Sequence, residues 1–226
     1  MDMESTIAQR IGEIDRQLEN TSASLVAVSK FHPVEAIREA YEAGQRMFGE
    51  SRVQELIEKV PALPSDIRWH FIGHLQTNKV RALLPHVSLI ESIDSVRLLE
   101  LVDKEALKAG LTAKVLMQVH VAREETKTGF LPEELLGYFR ARGFETLKAT
   151  HICGVMGMAS NTEDMDRVRA DFKAIRGIFD EILELCPDLR GFDTVSMGMS
   201  GDWPVAVKCG STLVRVGTSI FGPREY

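Results

Sequence analysis

A lysine that closes an apolar run is the first residue in this chain that can do chemistry. The run is Leu25-Val26-Ala27-Val28-Ser29, and Lys30 follows it. A lysine desolvated at a strand end loses part of its preference for the ammonium form. Its neutral amine can then attack an aldehyde. A strand-end lysine is also a common solvated surface residue, and the spacing alone does not choose between the two. Near the other end, Leu213-Val214-Arg215-Val216-Gly217-Thr218-Ser219 reads as a strand followed by a small turn. With a two-residue period, Val214 and Val216 share one face and Arg215 and Gly217 share the other. If the valines face covering helices, Arg215 points into the interior. There it is structural, paired with an acid, or turned to a ligand, since a buried guanidinium without a partner is costly. Gly217-Thr218-Ser219 offers unobstructed amides and two hydroxyls, which suits a phosphate as well as a plain turn. A third segment, Ser196-Met197-Gly198-Met199-Ser200-Gly201-Asp202, places Ser200 where it can donate a hydroxyl to the same anion. Asp202 stands where the last glycine of a G-x-S-x-G elbow would be, so a serine hydrolase is disfavoured.

These residues need a scaffold that gathers them. Apolar or β-branched runs fall at 24–30, 46–51, 67–73, 88–94, 113–121, 150–158, 192–200 and 212–220, with helical-period segments between them. Such alternation predicts βαβ units and a parallel sheet. Eight strands in a chain of 226 residues fit a (β/α)₈ TIM-like barrel forming a single domain over 1–226; an open doubly wound sheet is the runner-up. Pro33 is predicted to start a helix that Gly44 ends, with Val34, Ile37, Ala40 and Tyr41 on one face. Ser95 is predicted to cap a helix that carries Leu98, Leu99, Val102 and Leu107 and closes at Gly110. Asn161 or Thr162 is predicted to cap a long helix with Val168, Phe172, Ile175, Phe179 and Ile182 inward, and Asp202 a short one. Only GPREY (222–226) follows the last run. The extra N-terminal helix over 4–20, with Ile7, Ile11, Ile14 and Leu18 on one side, is predicted to cover the barrel wall there. In such a barrel the reactive groups come from the C-terminal strand ends, and phosphate often sits after strands 7 and 8. Lys30, Ser200, Arg215, Gly217 and Thr218 therefore converge on one mouth. Pyridoxal 5′-phosphate (PLP) needs those groups: an imine lysine, a partner for the pyridine nitrogen and an anion site.

Composition narrows the class. Hydrophobic residues are 44%, charged residues 27%, and the net charge is −6, which argues against nucleic-acid or membrane-surface partners that need clustered positive charge. Cys153, Cys186 and Cys209 are far apart and odd in number, and read as free thiols of a reducing compartment. The N-terminal MDMESTIAQRIGEID is polar, without the apolar core of a secretory leader, and no apolar run approaches the ~18 residues of a membrane helix. A cytoplasmic location is the expectation. His70 and His74 are four apart, but WHFIGH reads as strand and loop. Four residues there span about 13 Å, too far for a shared metal. Met156, Met158, Met197 and Met199 are expected to pack the interior or mouth.

Several stretches in order give the chain a family likeness: LVAVSK (25–30), FGESRVQE (48–55), WHFIGHLQTNK (69–79), Lys127-Thr128-Gly129-Phe130, GVMGMA (154–159), SMGMSGDW (196–203) and GSTLVRVGTSIFG (210–222). It resembles the PLP homeostasis proteins (the YggS/PROSC group), whose barrel is similar to the N-terminal domain of bacterial alanine racemase. The resemblance implies that Lys30 is the PLP imine lysine, that Ser200, Gly217 and Thr218 contact the phosphate, and that Arg215 partners the pyridine nitrogen. A cation there makes the ring a weaker electron sink than a carboxylate does and discourages carbanion chemistry. The chain departs from the family pattern at Ser51 and His120, where Asn is usual. Ser51 is counted with the cofactor contacts, its shorter side chain notwithstanding. His120 is either a titrating group near the cofactor or a histidine with a satisfied hydrogen bond. Lys127 matches a family lysine that guides PLP on or off the protein, or is a solvated loop lysine in REETKT. The implied function is a PLP carrier in PLP homeostasis, with apo PLP-enzymes as recipients; the alternative is a PLP-dependent amino-acid racemase. Racemisation needs acid/base groups on both faces of Cα, and in alanine racemase-like proteins the second is a tyrosine of an added C-terminal domain. Tyr41 and Tyr138 read as helix residues and Tyr226 as the last residue, so none is a good second base, and a monomer is expected.

Overall fold

Short β-branched strands alternate with amphipathic helices along this chain, and each strand pairs in parallel with the next. The structure, a computed structural model, describes residues 6–122 and 128–223; Lys127 and Tyr226 lie outside the described residues. The strands are β1 (Ser24–Val28), β2 (Met47–Glu50), β3 (Arg68–Phe71), β4 (Leu89–Ile93), β5 (Ala113–Val119), β6 (Thr150–Gly157), β7 (Thr194–Ser196) and β8 (Leu213–Val216). The helices are α1 (Ile7–Leu18), α2 (Val34–Glu42), α3 (Val53–Lys59), α4 (Val80–Leu83), α5 (Val96–Ala109), α6 (Pro132–Arg140), α7 (Met165–Leu185), α8 (Trp203–Lys208) and α9 (Thr218–Phe221).

The strands close in the order β1 to β8, with β8 returning to β1 through Ser24↔Leu213, Val26↔Arg215 and Ala27↔Val216. That closure is the (β/α)₈ barrel the sequence predicts and rules out an open sheet. Alternation along each strand separates two sets of side chains. Leu25, Phe48, Trp69, Ile90, Val115, Val195, Val214 and Val216 join the large core beneath the helices. Val26, Leu89, Leu116, Met156 and Leu213 form a small core inside the barrel. The interior is therefore only partly apolar, and His70, Glu91, Ser196 and Arg215 fall on the inward alternation.

Every strand is shorter than its predicted run, mostly at the C-terminal end. β7 stops at Ser196 because Gly198 turns the chain at φ 96°, and a Cβ there would lie 2.6 Å from the Ala206 Cβ. β8 stops at Val216 because the chain turns into α9, with the Ile220 and Phe221 amides donating to the Gly217 carbonyl. The residues removed from the predicted strands are those that form the mouth.

The helix signals hold with corrections. Ser95 accepts from the Leu98 amide, and Gly110 closes α5 in the left-handed region. Leu107, predicted on the buried face, is half-exposed at 52% because it lies off the stripe of Leu98, Leu99, Val102 and Ala106. Pro33 stands one place before α2 as its N-cap and not within its first turn. Asp164, not Asn161 or Thr162, caps α7, its carboxylate accepting from the Asp166 and Arg167 amides. Asp202 occupies the N-cap position of α8, but its carboxylate accepts from the Met199 amide and not from the helix. Of the methionines, Met156 and Met197 are buried, and Met199 is exposed at the mouth.

Among the described residues only the single turn α9 follows β8. The wall beside it is covered by α1, whose Ile11, Ile14 and Leu18 are buried. The Arg10 guanidinium reaches across to the Ile220 carbonyl at 3.1 Å. Ile11→Ala should destabilise the fold by about 2–5 kcal/mol, the cost of removing a fully buried Ile side chain, measured as a urea midpoint shift at unchanged slope.

Candidate functional site

The mouth is built from two adjoining halves. One is centred on Lys30, the half-buried residue two places beyond β1. Its neighbours are held on both sides. The Ser29 hydroxyl donates to Glu50 Oε1 at 2.7 Å. Lys59, from the last turn of α3, donates to the Ser29 carbonyl, to Glu50 and to Glu55 at 3.0, 2.8 and 2.6 Å. Glu55 also accepts from the Phe31 amide at 2.6 Å. Phe31 sits in the left-handed region at φ 67°, with the Arg52 guanidinium 4.7 Å over its ring. A bulky residue in that region costs on the order of 1–3 kcal/mol. Strain of that size beside Lys30, held by a buried ion pair, fixes the backbone that presents the lysine. Burial pushes the Glu50 carboxyl up, and the Lys59 charge and hydrogen bond oppose this.

The other half comes from the ends of β7 and β8. Ser200 Oγ accepts from the Gly217 amide at 3.2 Å, so the two segments predicted to contact an anion do meet. Among the described residues the Thr218 and Ser219 amides donate to no acceptor. Gly217 packs against β1, where an added Cβ would stand 3.1 Å from the Val28 carbonyl and 3.2 Å from its Cβ. The anion turn is thereby seated two residues from Lys30. The His32 and Phe221 rings stack at 4.9 Å across the same seam.

Arg215 does point inward, is only 4% exposed, and is paired with an acid. It donates to Ser196 Oγ and to the Gly157 carbonyl at 3.0 Å, and lies 3.7 Å from Glu91 Oε2. Ser196 donates in turn to Glu91 Oε2 at 2.6 Å, and His70 Nδ1 meets Glu91 Oε1 at 2.7 Å. Burial pushes the Glu91 carboxyl up, but the His70 hydrogen bond and the charges of His70 and Arg215 outweigh it and hold the group below its usual range. Burial lowers the Arg215 value and Glu91 raises it, and an arginine stays charged at any physiological pH. His74, exposed, turns instead to Asp94.

Two predicted positions stand apart. Ser51, at the end of β2, makes no hydrogen bond among the described residues and lines a cavity of about 300 Å³ with Arg52, Phe71, His74 and Lys79. Nothing joins it to the Ser200–Gly217 group. His120 follows β5, and its Nδ1 is buried without a partner among the described residues. The reading of His120 as a satisfied histidine therefore does not hold for that atom. Sequence reasoning missed Glu91, Ser196, Lys59, Glu50 and Glu55. The carboxylate in the apolar run Leu89-Ile90-Glu91-Ser92-Ile93 was the available signal for the first, since a strand buried on both faces does not carry a charge idly.

The sequence model described as "Alanine racemase, N-terminal domain" matches residues 4–225. The pyridoxal phosphate homeostasis protein of Haemophilus influenzae is 38% identical over 210 residues, covering 91% of this chain and 86% of the relative. That of Aquifex aeolicus is 41% identical over 209 residues, covering 90% and 88%. The chain belongs to the pyridoxal phosphate homeostasis protein family. Among solved structures, Synechococcus elongatus PipY with PLP bound is 40% identical with a TM-score of 0.88, and covers 96% of this chain and 100% of that one. Alanine racemase of Streptomyces coelicolor shares the fold at 18% identity and a TM-score of 0.74, this chain spanning 57% of its length.

Replacing Glu91 by Gln leaves Arg215 buried without its counter-charge and should cost roughly 3–5 kcal/mol, read from urea unfolding at neutral pH. Because the Glu91 carboxyl is held low, its contribution is present at and above the ordinary carboxylate range. It is lost as pH falls through the lowered native value, so the gap between parent and E91Q should narrow towards acid.

Proposed function

We propose that this protein binds PLP at the mouth formed by Lys30, Ser200, Arg215, Gly217 and Thr218, and holds or hands on the cofactor without turning over amino acids. The residues fit the group. Ser200 supplies a hydroxyl for the phosphate and Gly217 and Thr218 backbone amides, that of Thr218 uncommitted; Lys30 supplies an amine for the aldehyde, and the orphaned Nδ1 of His120 is a buried polar atom that a ligand would satisfy. When bound, the cofactor supplies an aldehyde and a conjugated ring that can withdraw electrons. The observation that carries the carrier reading is the state of Arg215, a cation buried and held by Ser196, Gly157 and Glu91. Placed against the ring nitrogen, it disfavours protonation there and so weakens electron withdrawal. Ser51 and Lys127 remain proposed contacts, the first for the ring and the second for cofactor entry and exit.

The racemase alternative lacks its second base among the described residues. Tyr41 lies on α2 with its hydroxyl on Asp66, and Tyr138 lies on the outer helix α6, where burial pushes its phenol up to about 12. We assign the protein to the cytoplasm, a reading that its three free cysteines support, and propose that it acts as a monomer with apo PLP-enzymes as recipients.

Incubation with PLP followed by borohydride should attach the cofactor to Lys30, mapped by mass spectrometry, and Lys30→Ala should lose that adduct. An adduct elsewhere, or none, would overturn the reading. Amino-acid turnover at enzyme-like rates by the loaded protein would overturn the carrier role while leaving the site. Ser200→Ala removes a hydrogen bond to a charged group and should weaken PLP binding by about 1.5–3 kcal/mol, roughly ten- to hundred-fold in Kd, measured by absorbance titration.

A further inference from the structure

The barrel has a second mouth at the N-terminal ends of its strands. A cavity of about 500 Å³ opens there, lined by Arg68, His70, Lys114, Cys153, Arg190 and Asp193 among others. Its charge is unbalanced. Arg68, Lys114 and Arg190 are cations, and among the described residues none of them is paired with a carboxylate. The acid of the group, Asp193, is engaged by the Thr194 hydroxyl at 2.9 Å. Surface cations alone would say little. The distinguishing residue is His70, which is 5% exposed yet lines this cavity. Its Nδ1 is committed to the Glu91 carboxylate, which fixes the ring, and among the described residues its Nε2 has no protein partner. A buried, oriented imidazole nitrogen facing a cavity rimmed by three cations is a site for an oxyanion.

The same imidazole begins a continuous buried chain, His70 to Glu91, Glu91 to Ser196, and Ser196 to Arg215, in which consecutive polar atoms lie within hydrogen-bond distance. It runs from the N-terminal mouth to Arg215, whose guanidinium also donates to the Gly157 carbonyl at the C-terminal end of β6. We propose that the N-terminal mouth binds a small, phosphate-sized oxyanion on His70, and that occupancy is transmitted through Glu91 and Ser196 to Arg215, altering the affinity of the opposite mouth for its cofactor. The second half rests on the PLP reading above; the first does not. An anion accepting from Nε2 polarises the ring whose Nδ1 is on Glu91, and so tightens Glu91 against His70. That weakens the hold of Glu91 on Ser196 and Arg215, and by reciprocity PLP must alter the affinity for the anion equally.

Cys153 is a reporter inside the cavity, and Cys209, at the end of α8, is an internal control. Without PLP, alkylation of both by iodoacetamide at mildly alkaline pH should be followed by mass spectrometry. Inorganic phosphate is added at constant ionic strength. Phosphate should slow Cys153 several-fold in a saturable manner and leave Cys209 unchanged. The double variant Arg68→Ala/Lys114→Ala, altered only at exposed positions, should lose the protection. Unprotected Cys153, or equal protection in the double variant, overturns the site. In the PLP-titrated protein, phosphate should then shift the PLP Kd in the parent more than in the double variant. Direct competition at the upper mouth would act equally on both, and an equal shift overturns the coupling while leaving the anion site. Failure of the Lys30 adduct is a separate result, because Cys153 protection involves no cofactor.

Discussion

A guanidinium enclosed by eight parallel strands has to be neutralised from within, and the barrel interior is arranged around that requirement. Arg215 enters from β8 on the inward alternation and is only 4% exposed, and of the carboxylates acting on it Glu91 has the larger effect and Asp202 at the mouth the smaller. Glu91 supplies the charge from β4, Ser196 bridges from β7, and His70 holds the far carboxylate oxygen from β3. The cost of burying four polar side chains is offset only because each one satisfies the next. The apolar interior left over is small, confined to Val26, Leu89, Leu116, Met156 and Leu213 with their neighbours. Stability thus depends mostly on the outer core between strands and helices, which leaves the axis available for electrostatics.

That division accounts for what could be read in the chain and what could not. Period-two alternation and capping signals are local, so the eight strands, the inward turn of Arg215, the Ser95 cap and the cover supplied by α1 were all legible. The meeting of Ser200 with Gly217 was legible too, because barrel topology alone puts the ends of strands 7 and 8 together. The partners of Arg215 were not, since Glu91 is 124 positions away by numbering (215 − 91) and its pairing depends on barrel closure. Lys59 shows a different failure. Glu55 and Lys59 at an i,i+4 spacing read as an ordinary solvated pair on a helix. Only the packing of α3 against the end of β1 buries the ammonium and turns it to the Ser29 carbonyl. Ser51 was placed by likeness to other chains, and its position at the end of β2 is as predicted. Its hydroxyl nevertheless faces a side cavity and has no link to the anion turn.

The two halves of the mouth also differ in rigidity for physical reasons. The lysine half is locked by a buried ion pair and a strained residue. The anion half is a glycine turn with uncommitted amides, which can accept a ligand without breaking a bond. A ligand spanning both halves would meet an amine on a fixed backbone and a turn free to adapt.

The positions of these halves along the chain bear on how the protein acquires its site. Ser29, Phe31, Glu50, Glu55 and Lys59 all lie within one βαβα segment, whose contacts are close in sequence and can form early. The segment bearing Arg215, Gly217 and Thr218 follows the other seven strands in the chain and meets β1 only when the barrel closes. The contacts that set the lysine are thus local, whereas those of the turn at 217–219 require closure. A ligand that needs both halves would bind the closed ring alone and stabilise it by mass action, so ligand binding and barrel closure would be thermodynamically linked.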